Sequence, residues 1–461
     1  MGGQAVVDVR PDGPERVPAA ASAPEPAAEP TTESTTGPAT GPATDRAIGR
    51  RLGVVTIDQI VSGGSNLLAS VLAARTLDPS QFGLFGLAFL VYVVAQAAGR
   101  AMLCNPVLVK PAEARERIRE VLGSAVLFGL GWAGLVAIGA GAVHPWDGRL
   151  SWALLTLAAC LPLLLLQDLG RFLAIAFLEP AVALWLDLIW LVLMLVAVGG
   201  LAVAGVHQLV GIMLAWAGSG AVAGLVVLVR WHAVTVRPSR AWLGDTWGLA
   251  WRFAISFVTL QVSVLGLAAL VRDLYGAAVL GALLGAQLFM RPYSTVDVAI
   301  SGSAVAEISH QANDRAFVWR HVGRITVVAT VVAGLNAAAM LFLPDVLGRL
   351  ALGSTWAGAQ HYMAPLAAQV VLLALTVGSR AGLVGTGHVD RLTVLNVVFI
   401  PVLLAAAVVG AVWGGPLGCA WGMTVGWVFA AVTWWLAFFA AEGRGARSTR
   451  YAYVGRHSQP G

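Results

Sequence analysis

The chain has 461 residues, 58% of them hydrophobic and 11% charged, with a formal net charge of +5 and a mean hydropathy of +0.78. Soluble domains carry roughly 25% charged residues, so the composition excludes an ordinary soluble globule. The basic residues sit in short segments between apolar runs, where membrane topology puts them, which excludes a nucleic-acid surface.

Residues 1–45 open the chain with the segment "AAASAPEPAAEPTTESTTGPATGPAT" at their centre. Its few apolar groups do not offset the entropy of ordering, so a disordered tail is expected, with docking of a glycan-assembly enzyme as the alternative. No charged n-region followed by an apolar h-region occurs there, so it does not read as a signal peptide.

From residue 54 onward apolar runs recur, each long enough to cross a hydrocarbon core of about 30 Å as a helix. Lipid offers no partners to the backbone, which leaves helices or a closed barrel. Continuous runs without strict alternation select helices. Spans are expected near 54–75, 82–104, 120–142, 151–170, 181–204, 207–229, 248–271, 276–303, 325–343, 362–386, 391–412 and 416–440. The fold class is therefore an all-α polytopic membrane protein of about twelve transmembrane helices.

Orientation follows from the loops. Arg46, Arg50 and Arg51, then Lys110, Arg115, Arg117 and Arg119, then Arg230, Arg237 and Arg240 fall on one side. Arg315, Arg320 and Arg324, then Arg391, then Arg444, Arg447 and Arg450 continue it, whereas the opposite loops hold Arg75, Arg149, Arg272 and Arg349, one each. The positive-inside rule then places both termini in the cytoplasm of a multi-pass inner (plasma) membrane protein. Lys110 is the only lysine, and Ala, Gly, Val and Arg dominate, a composition that points to a bacterial source.

An internal repeat is visible. "LAARTLDPSQFGLFGLAF" and "AALVRDLYGAAVLGALLGAQ" each place an Arg (Arg75, Arg272) at the end of a span, then a turn, then a Gly-rich start. Both copies begin on the same side, so the halves are parallel six-helix repeats, an arrangement recurrent in secondary transporters. The expected organisation is a lobe over 46–240, a second over 241–442, and a basic cytoplasmic tail over 443–461.

Several spans carry polar stripes at helical spacing. They are Asp58, Ser62 and Ser65; Tyr92, Gln96 and Arg100; Arg252, Ser256, Thr259 and Ser263; Gln287, Arg291 and Ser294, with Asp297 and Ser301 one step round; and Gln369, Thr376 and Arg380. An Arg at the bilayer centre costs about 2.5–3.5 kcal/mol, so such residues face a bundle interior or a wet cavity. Arg100, Arg252 and Arg380 stand near span ends and have snorkelling as an alternative; Arg291 lies mid-span. Arg171 adds to the set, while the acidic residues singled out in the spans are Asp58, Asp187, Asp297 and Glu307. A surplus of guanidinium suits an anionic, phosphate-bearing substrate, whereas cation transport favours carboxylates.

Competing chemistries find little support. Cys104, Cys160 and Cys419 show no metal or redox spacing, no Walker motif occurs, and no cofactor is implied. The outer loops are too short for the catalytic loop of a membrane glycan polymerase or ligase, and the histidines lie at helix ends or in loops. An enzymatic role is not expected.

The segment "IDQIVSGGSNLLASVLAARTLDPSQFGLFGLAFLVYVVAQAAGRAMLCNPVLV" resembles the opening of bacterial polysaccharide-biosynthesis flippases. These belong to the multidrug/oligosaccharidyl-lipid/polysaccharide exporter superfamily, together with the MATE transporters. The resemblance continues in "LQDLGRFLAIAFLEPAVALWLDLIW", "LGALLGAQLFMRPYSTVDVAISGSAVAEIS" and "GSRAGLVGTGHVDRLTVLN", covering most of 46–440. It implies a MATE-like two-lobed bundle that alternates access, and a polyprenyl-diphosphate-linked glycan as substrate, its tail among the membrane lipids. It also implies coupling to a cation gradient, H+ or Na+, or to the membrane potential. On the resemblance Arg100 and Arg291 become candidate diphosphate contacts; the polar stripes by themselves add Arg252, Arg380, Gln96, Gln287 and Tyr92 as cavity candidates and Asp58 as a coupling candidate, with a salt bridge to a neighbouring Arg as its alternative. A MATE-type cation-coupled small-molecule exporter is the alternative.

Overall fold

The computed structural model describes residues 63–231 and 239–456, leaving out the side chains at 249, 252, 253, 255–257, 259, 260, 306 and 443–456. Asp58 and the segment 1–45 lie outside the described residues. All regular structure among the described residues is helical. In chain order the helices are α1 (63–76), α2 (Pro79–Val109), α3 (Ile118–Val143), α4 (Gly148–Ala176), α5 (Pro180–Val203) and α6 (Leu209–Arg230). The second set is α7 (Ala241–Tyr275), α8 (Ala277–Gln287 continuing as Arg291–His310), α9 (Arg315–Leu341), α10 (Met363–Gly385), α11 (389–413) and α12 (416–456).

Helix starts follow local chemistry. Asp78 accepts from the amides of Ser80 and Gln81 and Pro79 occupies the first turn, so α2 begins with two orphan donors satisfied. Asp147 caps α4 through the Leu150 amide, and Asp314 caps α9 through the Phe317 amide. Between α11 and α12 the turn is made at Gly414 and Gly415, the latter at φ 61, before Pro416 opens the next helix.

Two helices are irregular where polar residues stand. In α2 a π turn spans Arg100–Cys104 just ahead of Pro106, which has no amide to donate and crowds the preceding turn. In α8 a 3-10 turn at Leu288–Met290 precedes Pro292 for the same reason. This break lies between Gln287 and Arg291.

Eight helices among the described residues are long and apolar enough to span a membrane, the stretch Val389–Glu442 being the kinked pair α11–α12. The second half of α8 falls outside that set because Arg291, Asp297 and Glu307 dilute its apolar content. Apolar side chains are displayed outward: Val192, Val196 and Val203 on α5, and Val327, Val331 and Leu335 on α9, are exposed. In water such surfaces would associate; against lipid tails they cost nothing.

The architecture is two-lobed. In the first lobe α4 is central, packed by α2, α3, α5 and α6; in the second α10 is central, packed by α8, α9 and the α11–α12 pair. The lobes meet where α2 crosses α8. A Cβ on Gly83 would strike the Ala277 carbonyl, and one on Gly281 the Pro79 carbonyl, so these glycines permit a backbone-to-backbone crossing. Gly83 lies inside the helix, four residues past Pro79, at this crossing. The turn before α2 is made by Asp78 and Pro79. Helix α7 lies along α2 and also touches α8 and the α11–α12 pair.

Candidate functional site

The intramembrane charges separate into two constellations. In the first lobe Arg100 Nε donates to Asp168 Oδ2 at 2.8 Å and Nη2 donates to Oδ1 at 2.8 Å, a bidentate ion pair between α2 and α4. The fork geometry makes this among the strongest side-chain pairings available. Gln96 Nε2 donates to the same Asp168 Oδ1 at 3.2 Å and to the Tyr92 hydroxyl at 2.8 Å. Arg171 lies 3.1 Å from Asp187 on α5, whose carboxylate also accepts from Gln167 at 3.0 Å. Asp168, Arg171 and Asp187 are buried, while the Arg100 side chain keeps 39% of its surface open.

The structure thus brings Arg100, Gln96 and Tyr92 together, but around a carboxylate of the same lobe. None of the three lines the principal cavity. Asp168 is absent from the acidic residues that the sequence reading singled out. Its signal was present in "QDLGRF": an Asp and an Arg three residues apart in an otherwise apolar helix, one turn from sharing a face.

The second constellation lines a cavity of about 670 Å³. Its walls come from α1, α2, α7, α8, α10, α11 and α12, and most of the lining belongs to the second lobe. Gln287, Arg291 and Ser294 reach it from either side of the α8 break, and Arg380 reaches it from α10. No carboxylate stands among its lining residues. Neither guanidinium has an ion-pair or hydrogen-bond partner among the described residues; Arg380 lies 5.8 Å from the ring centre of Trp434, in cation-π range. Trp434 joins Phe399 and Trp427 in an aromatic wall, with centroid separations of 5.6, 5.0 and 6.4 Å. Phe85, Phe89 and Leu90 of α2 also line the cavity.

The remaining candidates divide. Gln369 lines the cavity but its amide is engaged by the Ala420 carbonyl at 3.0 Å and Thr424 Oγ1 at 3.2 Å, tying α10 to α12. The side chain of Arg252 is outside the described residues, as is Asp58. Arg272, which the sequence places at the outer end of a span, donates to Asp147 Oδ2 at 2.6 Å and to Asp273 at 2.8 Å. It links the end of α7 to the start of α4. Tyr275 adds a second tie, its hydroxyl donating to the Ala411 carbonyl at 2.7 Å.

Comparison with solved structures places this geometry in a known architecture. An inward-facing MATE-family multidrug resistance transporter of the MOP superfamily aligns with TM-score 0.66 at 16% identity, covering 86% of this chain and 98% of that one. The fold is that of the MOP transporters. The lipid II flippase MurJ, in an inward closed conformation, also aligns at TM-score 0.66, with 11% identity over 88% of this chain and 93% of that one. A MOP transporter from Pyrococcus furiosus, described as having a binding pocket of reverse polarity that suggests a different function, aligns at 0.57 with 15% identity over 85% and 95%. At these identities the likeness is one of fold. Neither the family models nor the sequences of curated proteins give a match.

Proposed function

We propose that the chain is a flippase that carries a polyprenyl-diphosphate-linked oligosaccharide, or a related cell-envelope precursor, from the inner to the outer leaflet by alternating access. The observation that carries this reading is the pair of unpaired guanidinium groups, Arg291 and Arg380, on an otherwise apolar and aromatic cavity without a lining carboxylate. A diphosphate presents oxygens that a guanidinium fork grips bidentately, and the first isoprene units match aromatic and aliphatic walls. No chemical alteration of the cargo is assigned to the chain.

Within this proposal the Arg291 end of the cavity faces the cytoplasm, in keeping with the excess of arginine in the loops on that side. The apolar seal beyond Gln287, formed by Val271, Leu280 and Leu283, and the Arg272–Asp147 pair then close the outer end.

The test is accumulation of lipid-linked glycan on the inner leaflet of cells carrying Arg291→Ala, with membrane abundance followed by blot. Accumulation with normal abundance is the expected result. Transport at the parental rate by a stably inserted variant overturns the role of Arg291. Export of cationic dyes by the parental chain, without such accumulation in the variant, selects the MATE-type exporter instead.

A further inference from the structure

The repeat relates the two lobes position by position, and it singles out a group that the anion-binding reading does not use. Arg75 and Arg272 are separated by 197 residues, and the same step carries Arg100 of α2 onto Asp297 of α8. Arg171 and Arg380 each stand five residues before the end of their helices, α4 and α10. In the first lobe these positions belong to one closed network, because Asp168 bridges Arg100 and Arg171. In the second lobe an acid on α8 faces a base on α10 across the same helix pair, yet no ion pair joins them. Position 377, three residues before Arg380, holds Val where α4 has the bridging Asp168.

The surroundings of Asp297 are polar and unsatisfied. Tyr293, Asp297 and Ser301 follow one another at four-residue steps on one face of α8, a helix that packs on α10 and α9. Asp297 and Tyr293 are buried, and Asp297 Oδ1, the Tyr293 hydroxyl and the Ser301 hydroxyl have no hydrogen-bond partner among the described residues. Three orphaned polar atoms in one stripe are expensive in a packed membrane helix. Arg380 is the charged group whose field reaches both Tyr293 and Asp297. From α9 the titratable side chain brought to α8 is His321, held 2.7 Å from Glu307, about 15 Å along the helix from Asp297.

We propose that Asp297, flanked by Tyr293 and Ser301, is a proton site that competes with the anionic cargo for Arg380. The inference rests on the proposed anion-binding role of the cavity. With Asp297 ionised, Arg380 is attracted to it and the cavity loses one of its two free cations. Taking one proton from solvent neutralises the carboxylate and leaves Arg380 to the diphosphate; when the anion departs, the proton returns to solvent. A metal cation fits the position less well, since a guanidinium stands opposite and one carboxylate with two hydroxyls supplies few ligands.

The experiment uses the full chain in lipid nanodiscs with farnesyl diphosphate as probe. Calorimetry in buffers of differing ionisation enthalpy counts protons taken up on binding. The carbonyl stretch of a protonated carboxylic acid, followed by infrared difference spectroscopy against pH, reports Asp297 without any ligand. Expected is uptake of one proton per farnesyl diphosphate, and affinity that falls up to tenfold per pH unit above the Asp297 transition. Asp297→Asn should bind without proton uptake and without that slope, and should lack the titrating infrared band; Asp297→Glu should restore both. Tyr293→Phe, which keeps the helix packing, should displace the transition.

An unchanged pH slope or an unchanged band in Asp297→Asn overturns the proposal. Dependence of affinity on sodium at fixed pH, with no proton uptake, overturns it in favour of a metal site. Failure of the parental chain to bind farnesyl diphosphate counts against the anion-binding reading, and the infrared band then decides the protonation of Asp297 alone.

Discussion

The two lobes share a helical plan and treat charge in opposite ways. In the first, the interior arginines among the described residues each have a carboxylate: Arg100 with Asp168, and Arg171 with Asp187. At the Glu179 end of that lobe the pattern continues, with Arg115 and Arg230 on Glu179, and Arg117 on Glu113, Glu120 and Asp245. In the second lobe Arg291 and Arg380 face a cavity without a carboxylate partner in contact. A buried pair that is broken leaves an uncompensated charge, so paired arginines are structural by consequence even where they look functional in sequence. A guanidinium without such a partner stays available to a bound anion.

This contrast predicts different failures for similar substitutions. The largest transport effect belongs to Arg291→Ala, expected to abolish translocation, a loss of tenfold or more, while leaving membrane abundance unchanged. Arg291→Lys should recover it only in part, since the charge survives but the fork does not. Arg100→Ala should behave in the reverse manner, lowering the yield of monodisperse protein because buried Asp168 loses its bidentate partner. Breaking a buried pair costs about 3–5 kcal/mol; the partial exposure of Arg100 brings the expected figure to about 2 kcal/mol. Size-exclusion profiles and thermal denaturation in detergent would separate the two, and equal stability of Arg100→Ala and parent would erase the distinction drawn here.

A smaller effect is expected at the closed end. Asp147→Asn removes the ionic character of the tie to Arg272, a partly exposed pair worth about 1 kcal/mol at most. Cysteine labelling at positions lining the seal should rise severalfold in that variant, and no change would remove Arg272–Asp147 as a latch. Gln287→Ala should weaken transport less than Arg291→Ala, because it deletes a neutral group at the same helix break.

The smallest effect concerns Glu113, outside the spans. Lys110 first, and Arg117 after it, hold its carboxyl below the usual carboxylate range. A depressed folded pKa contributes stability above the ordinary glutamate value of about 4.3, lost as pH falls further through the folded value. Glu113→Gln should therefore flatten the acid limb of the stability profile slightly, measured as melting temperature between neutral and acid pH.

Much of this was legible in the residues. Apolar runs, loop arginines and the repeated turn depend on composition and spacing along one helix, and lipid leaves the backbone no choice but to be helical. The stripe Gln287, Arg291, Ser294 was visible for the same reason, being a property of α8 alone. Pairing between helices was not. Arg100 and Arg291 look alike in sequence, each near a proline on the second helix of its half, and only the packing of α2 on α4 reveals that Asp168 takes up the first.

Gly83 belongs to the same class: a glycine after a proline reads as a turn until α8 is seen to cross there. The aromatic wall of Phe399, Trp427 and Trp434 was hidden too, because rings facing a cavity and rings facing lipid are equally apolar. Sequence determined which groups are present and on which face of their own helix; tertiary structure decided which charges are neutralised, because pairing depends on distances of a few ångströms between helices that the chain does not encode locally.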